Sequence, residues 1–161
     1  MKLYLIRHAQ PKNQLEDPLQ HLSDSGRKSM KKVSEYAARL ELFIAEIWHS
    51  EKLRAKETAE IFAQSLGLTQ KVKERTGLSP GDDVTPIESW LMGKEENIAL
   101  VGHLPFLDKL ASLLLCGSED ASLINFTMGS IACLSRDVSG EWTLDWIITP
   151  DLIPDNTAFS G

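Results

Sequence analysis

Short apolar runs alternate with segments of helical period through the first two thirds of the chain, and this alternation points to strands layered against helices rather than to separate all-α and all-β parts. Residues 2–6 read as a first strand. Ser23 or Asp24 is placed to cap a helix over about 25–40, with Met30, Val33, Tyr36, Ala37 and Leu40 at helical spacing. Ile44 to Trp48 reads as a second strand, followed by a helix from about Lys52 to Leu66 that Gly67 is positioned to stop. Gln70 to Lys73 forms a weak strand, Asp82 or Asp83 caps a helix reaching about Leu91, and Ile98 to Val101 is a further strand. Pro105 suits the first turn of a helix running to about Leu115.

The last third changes character. Phe126 to Met128, Ser130 to Ser135 and Trp142 to Ile148 read as strands, the last two joined by the turn signal Asp137-Val138-Ser139-Gly140. The expected fold class is therefore α/β: a three-layer α/β/α sandwich whose central sheet is mostly parallel, with an antiparallel edge from the C-terminal strands. Residues 1–149 are expected to form a single domain. Residues 150–161, rich in Pro, Asn, Ser and Gly and without periodicity, are expected to be a loosely held tail.

The strand ends carry the chemistry. The run Leu3-Tyr4-Leu5-Ile6 stops at Arg7-His8-Ala9, and Ile98-Ala99-Leu100-Val101 stops at Gly102-His103-Leu104-Pro105. Open α/β sheets place their ligands at the carboxyl edge of the strands. Neighbouring side chains alternate across a strand, so Arg7 and His8 converge only where the extended run ends. Gly102 permits a close backbone approach or an unusual turn, and His103 then precedes a helix whose positive end favours an anion. Arg54 lies in Ser50-Glu51-Lys52-Leu53-Arg54-Ala55-Lys56-Glu57-Thr58, at the start of a helix that Ser50 can cap while presenting amides to an anion. By itself Arg54 also reads as one more solvated charge beside Glu51, Lys52, Lys56 and Glu57. Two imidazoles and two guanidinium forks at one sheet edge make an anion pocket, since the planar Arg fork holds two phosphate oxygens at once.

In this order, Arg7-His8-Ala9, the Ser50 to Thr58 segment and Gly102-His103-Leu104-Pro105 resemble the histidine phosphatase superfamily, the phosphoglycerate-mutase-like proteins. Leu22-Ser23-Asp24-Ser25-Gly26, Leu78-Ser79-Pro80 with Asp83, and the stretch from Phe126-Thr127 to Ser130-Ile131-Ala132 resemble its short bacterial branch of SixA-like phosphohistidine phosphatases. The resemblance implies a hydrolase in which His8 is the nucleophile and Arg7, Arg54 and His103 hold the phosphate. Ser50 and His21 are further candidate contacts, although His21 also reads as an ordinary loop residue and His49 as a residue bordering the pocket. It implies a phosphorylated histidine-containing protein as substrate, inorganic phosphate as product, and neither cofactor nor metal. A small-molecule phosphomonoesterase and a noncatalytic phosphate-binding module remain as alternatives.

Two departures from the pattern matter. Ala9 stands where relatives usually have Gly, which puts the local turn in doubt. The general acid of many relatives has no obvious counterpart, because Gly77 lies near the expected carboxylate; Glu74, Asp82 and Asp83 are the nearest candidates. Composition narrows the partners: a formal charge of −6 argues against a general nucleic-acid surface. Lys28, Lys31 and Lys32 form a possible local basic patch, with a solvated helix face as the plainer reading. No run approaches the roughly 18 apolar residues of a membrane span, and a cytoplasmic location is expected. Cys116 and Cys133 are both expected to be reduced, packed thiols.

Overall fold

The computed structural model describes residues 1–155. Among these residues six strands form one sheet: β1 (Lys2–Arg7), β2 (Glu46–His49), β3 (Val72–Glu74), β4 (Ile98–Gly102), β5 (Ile131–Arg136) and β6 (Trp142–Ile148). Their spatial order is β3-β2-β4-β1-β5-β6. The pairs β3/β2, β2/β4 and β4/β1 are parallel, whereas β1/β5 and β5/β6 are antiparallel. Four helices cover the sheet: α1 (Asp24–Ala38), α2 (Leu53–Leu66), α3 (Thr85–Met92) and α4 (Phe106–Cys116).

Alternation along the central strands divides the core into two apolar layers. Tyr4 and Ile6 of β1 with Ala99 and Val101 of β4 face α1 and α2, where Met30, Val33, Ala59 and Phe62 meet them. Leu3, Leu5, Ile98 and Leu100 face the other way, against Ile87 and Leu91 of α3 and Leu107 and Leu110 of α4. The strands β1 and β4 are thus covered on both sides, which accounts for their nearly unbroken apolar runs.

The helices start and stop for local reasons. The Ser23 hydroxyl accepts the Gly26 amide at 3.0 Å and caps α1. Gly67 closes α2 in the left-handed region at φ 70°. The α3 helix begins slightly later than expected, at Thr85, and Asp83 accepts the Thr85 amide at 2.9 Å just ahead of it, while Asp82 is bonded instead to the Ser79 amide. Within α1, Met30, Val33 and Ala37 are buried as the spacing required, but Tyr36 is partly exposed and Leu40 falls beyond the helix end.

Three expectations need correction. Phe126 to Met128 is not a strand. The Phe126 carbonyl accepts from Arg7, and the Thr127 carbonyl accepts both the Ser130 amide and the Ser130 hydroxyl, so these groups are committed to a turn instead of a ladder. Cys133 is buried, but Cys116 ends α4 on its outer side and is exposed. Packing also extends past residue 149: Pro150–Leu152 form a 3-10 turn, Ile153 is buried against the α1/α2 layer, and Asp155 pairs with Lys32 at 3.0 Å. The rest of the expected tail, residues 156–161, lies outside the described residues.

The close approach that Gly102 was expected to permit occurs at Gly26 instead. A Cβ on Gly102 would sit at an ordinary 3.5 Å from the Leu78 carbonyl, whereas one on Gly26 would meet the Gln10 carbonyl oxygen at 2.2 Å. The first turn of α1 therefore packs directly on the backbone that follows His8 and Ala9. Gly26→Ala is expected to cost about 1–3 kcal/mol, because the obstacle is main chain and cannot rotate aside. An unchanged denaturation midpoint would show that this contact is looser than described.

Candidate active site

Every element of the site leaves the carboxyl edge of the sheet. The His8 amide donates to the Gly102 carbonyl at 2.9 Å, prolonging the β1/β4 pairing by one step and placing the two histidine-bearing chain ends side by side. Gly129 donates back to the carbonyls of Arg7 and His8. The Ala9 amide donates to the Thr58 hydroxyl at 3.0 Å, and that hydroxyl in turn donates to the Arg54 carbonyl at 2.7 Å. A short polar chain thus runs from the end of β1 into the first turns of α2, where Arg54 stands. Ala9 lies outside the positive-φ residues, so the Cβ that replaces the usual glycine is accommodated without backbone strain.

The structure brings Arg7, His8, Arg54 and His103 together. The two imidazole rings lie 5.0 Å apart, inclined at 51°. His8 is only 8% exposed and His103 1%. His8 Nδ1 is 2.7 Å from the Ala9 carbonyl. A carbonyl only accepts, so Nδ1 carries the ring proton and Nε2 is left with its lone pair. One Arg7 nitrogen donates to the Phe126 carbonyl at 2.7 Å, while its buried Nε has no partner among the described residues. Arg54 and Arg7 are half-buried, and burial lowers the pKa of both guanidinium groups from the ordinary value.

This concentration of positive charge is felt by both imidazoles. Burial, with the charges of Arg54 and Arg7 adding to it, pushes the His8 pKa down to about 4. Burial followed by His8, Arg54, Lys52 and Arg7 takes His103 down to about 3. Both rings are therefore neutral near pH 7. The arrangement supplies an imidazole lone pair beside two guanidinium groups, the equipment for nucleophilic attack on an electron-poor centre that carries anionic oxygens.

The remaining candidates lie as follows. Ser50 is fully buried, and its hydroxyl lies 2.6 Å from His103 Nε2 and accepts the Lys52 amide at 3.3 Å; it does not cap α2 as expected, since the N-cap is Lys52 and no side chain among the described residues caps the helix. His49 is buried, with Nδ1 at 2.8 Å from the Ser50 carbonyl. His21 lies at the end of a loop that follows β1 and is closed by an isolated antiparallel bridge between Pro11 and Leu22; its Nδ1 lies 2.7 Å from Asp17. Two contributors escaped sequence reading. Lys52 adds its charge at His103, and Glu57, taken as a surface charge, is 6% exposed, pairs with Arg27 and accepts the Leu22 amide. Its position four residues before Ile61, which packs on the core, was the available signal.

A family model described as the histidine phosphatase superfamily, branch 1, matches residues 3–79, a span that takes in Arg7, His8, Ser50 and Arg54. The chain belongs to the histidine phosphatase superfamily. It is accordingly a phosphatase, a hydrolase with a histidine nucleophile. Among relatives, it is 25% identical over 155 residues to the phosphohistidine phosphatase SixA of Escherichia coli (strain K12), covering 93% of this chain and 94% of that protein. It is 33% identical over 125 residues to an uncharacterised protein of Picosynechococcus, covering 73% and 74% of the two chains. Among solved structures, the protein histidine phosphatase SixA complexed with tungstate superposes with a TM-score of 0.83 at 24% identity, covering 94% of this chain and 99% of that one. A putative phosphohistidine phosphatase SixA from Agrobacterium tumefaciens gives 0.75 at 19% identity, covering 92% and 97%. This superfamily member thus shares the phosphoglycerate-mutase-like α/β fold.

The depressed histidine pKa values set a direction for stability. As the pH drops below about 6.5 the unfolded chain takes protons on both rings, while the native rings take theirs only near 4 and 3. The unfolded state therefore binds more protons across that window, and the free energy of unfolding falls as the pH falls. Denaturant titrations from pH 8 to pH 4 should show this decline, and it should be shallower in the double variant His8→Asn, His103→Asn. An equal slope in both proteins would mean that the two rings titrate normally in the native state.

Proposed function

We propose that the protein is a phosphohistidine phosphatase, removing the phosphoryl group from a histidine-containing protein through a phospho-His8 intermediate. The supporting observation is the His8 ring itself, pinned through Nδ1 to the Ala9 carbonyl so that Nε2 is free to attack, with Arg7 and Arg54 beside it. In the first step Nε2 forms a bond to phosphorus as the substrate's N–P bond breaks, its electron pair returning to the substrate imidazole. In the second, water attacks phospho-His8, the N–P bond electrons return to Nε2, and inorganic phosphate leaves with the water-derived oxygen. Arg7, Arg54 and His103 hold the equatorial oxygens in both steps.

Phosphohistidine is favoured over an ester by the state of the three candidate carboxyl groups, Glu74, Asp82 and Asp83. Asp83 is engaged by the Thr85 amide, which holds its pKa below the usual carboxylate value, the opposite of what a proton donor needs. Asp82 accepts the Ser79 amide at 2.8 Å, and Glu74 lies exposed on the three-residue strand β3. An alkoxide leaving group demands a proton, whereas a phosphohistidine ring that carries a proton on its other nitrogen departs as neutral imidazole, whose conjugate acid has a pKa near 6.5, with little further help. The SixA relative carries the same activity in its name. Of the candidate basic patch on α1, Lys31 faces Glu35 at 3.9 Å and Lys32 pairs with Asp155. A cytoplasmic setting fits two cysteines that are both free.

Purified protein should release phosphate from a phosphohistidine protein in preference to sugar or nucleotide monophosphates, and a neutral quench should trap an acid-labile phospho-His8. His8→Ala is expected to abolish both signals, and Arg54→Lys to lower kcat/KM about a hundredfold by removing the planar fork. Turnover retained in His8→Ala would refute the nucleophile, and preference for a monoester would refute the substrate.

A further inference from the structure

The two imidazoles of the pocket are held by partners of opposite character. His8 Nδ1 faces a carbonyl, which only accepts. His103 Nε2 faces the Ser50 hydroxyl at 2.6 Å, inside a region where Ser50 is 0% and His103 1% exposed. The hydroxyl oxygen already accepts the Lys52 amide at 3.3 Å. Its own proton is then free to be donated, and Nε2 of His103 is the acceptor in reach. That leaves the His103 ring proton on Nδ1, which is buried and has no protein partner among the described residues.

We propose that Ser50 is a positioning residue that fixes His103 as the Nδ1–H tautomer, so that this ring offers the bound phosphoryl group a proton and not a lone pair. The inference rests on the reading of the pocket as a phosphoryl site. The chemistry then divides cleanly between two like side chains. His8 presents a lone pair to phosphorus from Nε2, and His103 presents an N–H to a phosphoryl oxygen from Nδ1. With the other tautomer, His103 would turn a second lone pair toward an oxyanion and repel it. A low His103 pKa accords with this assignment, because a neutral ring has one proton to place and its location then matters.

Protein labelled with ¹⁵N-histidine reports the tautomer directly, with the His103 resonances assigned by their loss in His103→Gln. In the wild type, Nδ1 should be the protonated nitrogen and Nε2 the bare one. Ser50→Ala should yield a mixture of tautomers, with affinity for inorganic phosphate and kcat/KM each falling about tenfold, the size expected for one hydrogen bond. In the His103→Gln background, Ser50→Ala should cause no further loss, because a purely structural hydroxyl would weaken both backgrounds equally. A protonated Nε2 in the wild type overturns the proposal without any variant having to fold. So does an unchanged tautomer in Ser50→Ala, or an equal phosphate loss in the two backgrounds. Failure of the wild type to hydrolyse phosphohistidine would instead refute the substrate assignment, leaving the tautomer and phosphate affinity to stand on their own.

Discussion

The hydrogen bond from the Ala9 amide to the Thr58 hydroxyl fixes the site more than any other contact. Residues 49 positions apart are joined at the point where β1 ends and α2 has just begun. Thr58 passes the constraint to the Arg54 carbonyl one helical turn earlier, so the backbone bearing the second guanidinium takes its place from the backbone that follows His8. An amide buried here without an acceptor would cost about 1–3 kcal/mol. The bond therefore serves cohesion and geometry together.

Local and global electrostatics run in opposite directions in this protein. The chain carries a formal charge of −6, yet Arg7 and Arg54 lie beside two buried imidazoles, with Lys52 adding its charge at His103. Burial, with these charges adding to it, suppresses protonation of the rings and so leaves each a lone pair near pH 7. Charge already assembled by the fold favours an anion here, because an anion would relieve the repulsion among these cations.

Much of this was legible in the chain itself, because strand ends and apolar periods are local signals. The runs ending at Arg7 and Gly102 locate the sheet edge, and the period of α1 identifies the face that Met30, Val33 and Ala37 bury. What escaped depends on partners distant in sequence. Phe126 looks like a strand residue until its carbonyl is seen to receive Arg7, 119 positions away. Glu57 looks like another surface charge among Glu51, Lys52 and Lys56 until Arg27 and the Leu22 amide enclose it. Ser50 reads as a helix cap, and only the fold shows that its hydroxyl reaches His103. Residues 150–155 lack any period, but one buried side chain, Ile153, and one ion pair suffice to hold them.

The pairing of β5 with β6 slips between Cys133 and Leu134, where Cys133 faces Trp146 and Leu134 faces Leu144, leaving Asp145 unmatched. That irregularity lies on the outermost strand, and Asp145 is bonded there to Lys2 and Ser135. At the opposite border the sheet ends in only three residues of β3. A charged bulge on one margin and a stub on the other both discourage recruitment of a foreign strand. The irregular ladder at one margin and the three-residue strand at the other thus leave little regular edge for a further strand to extend.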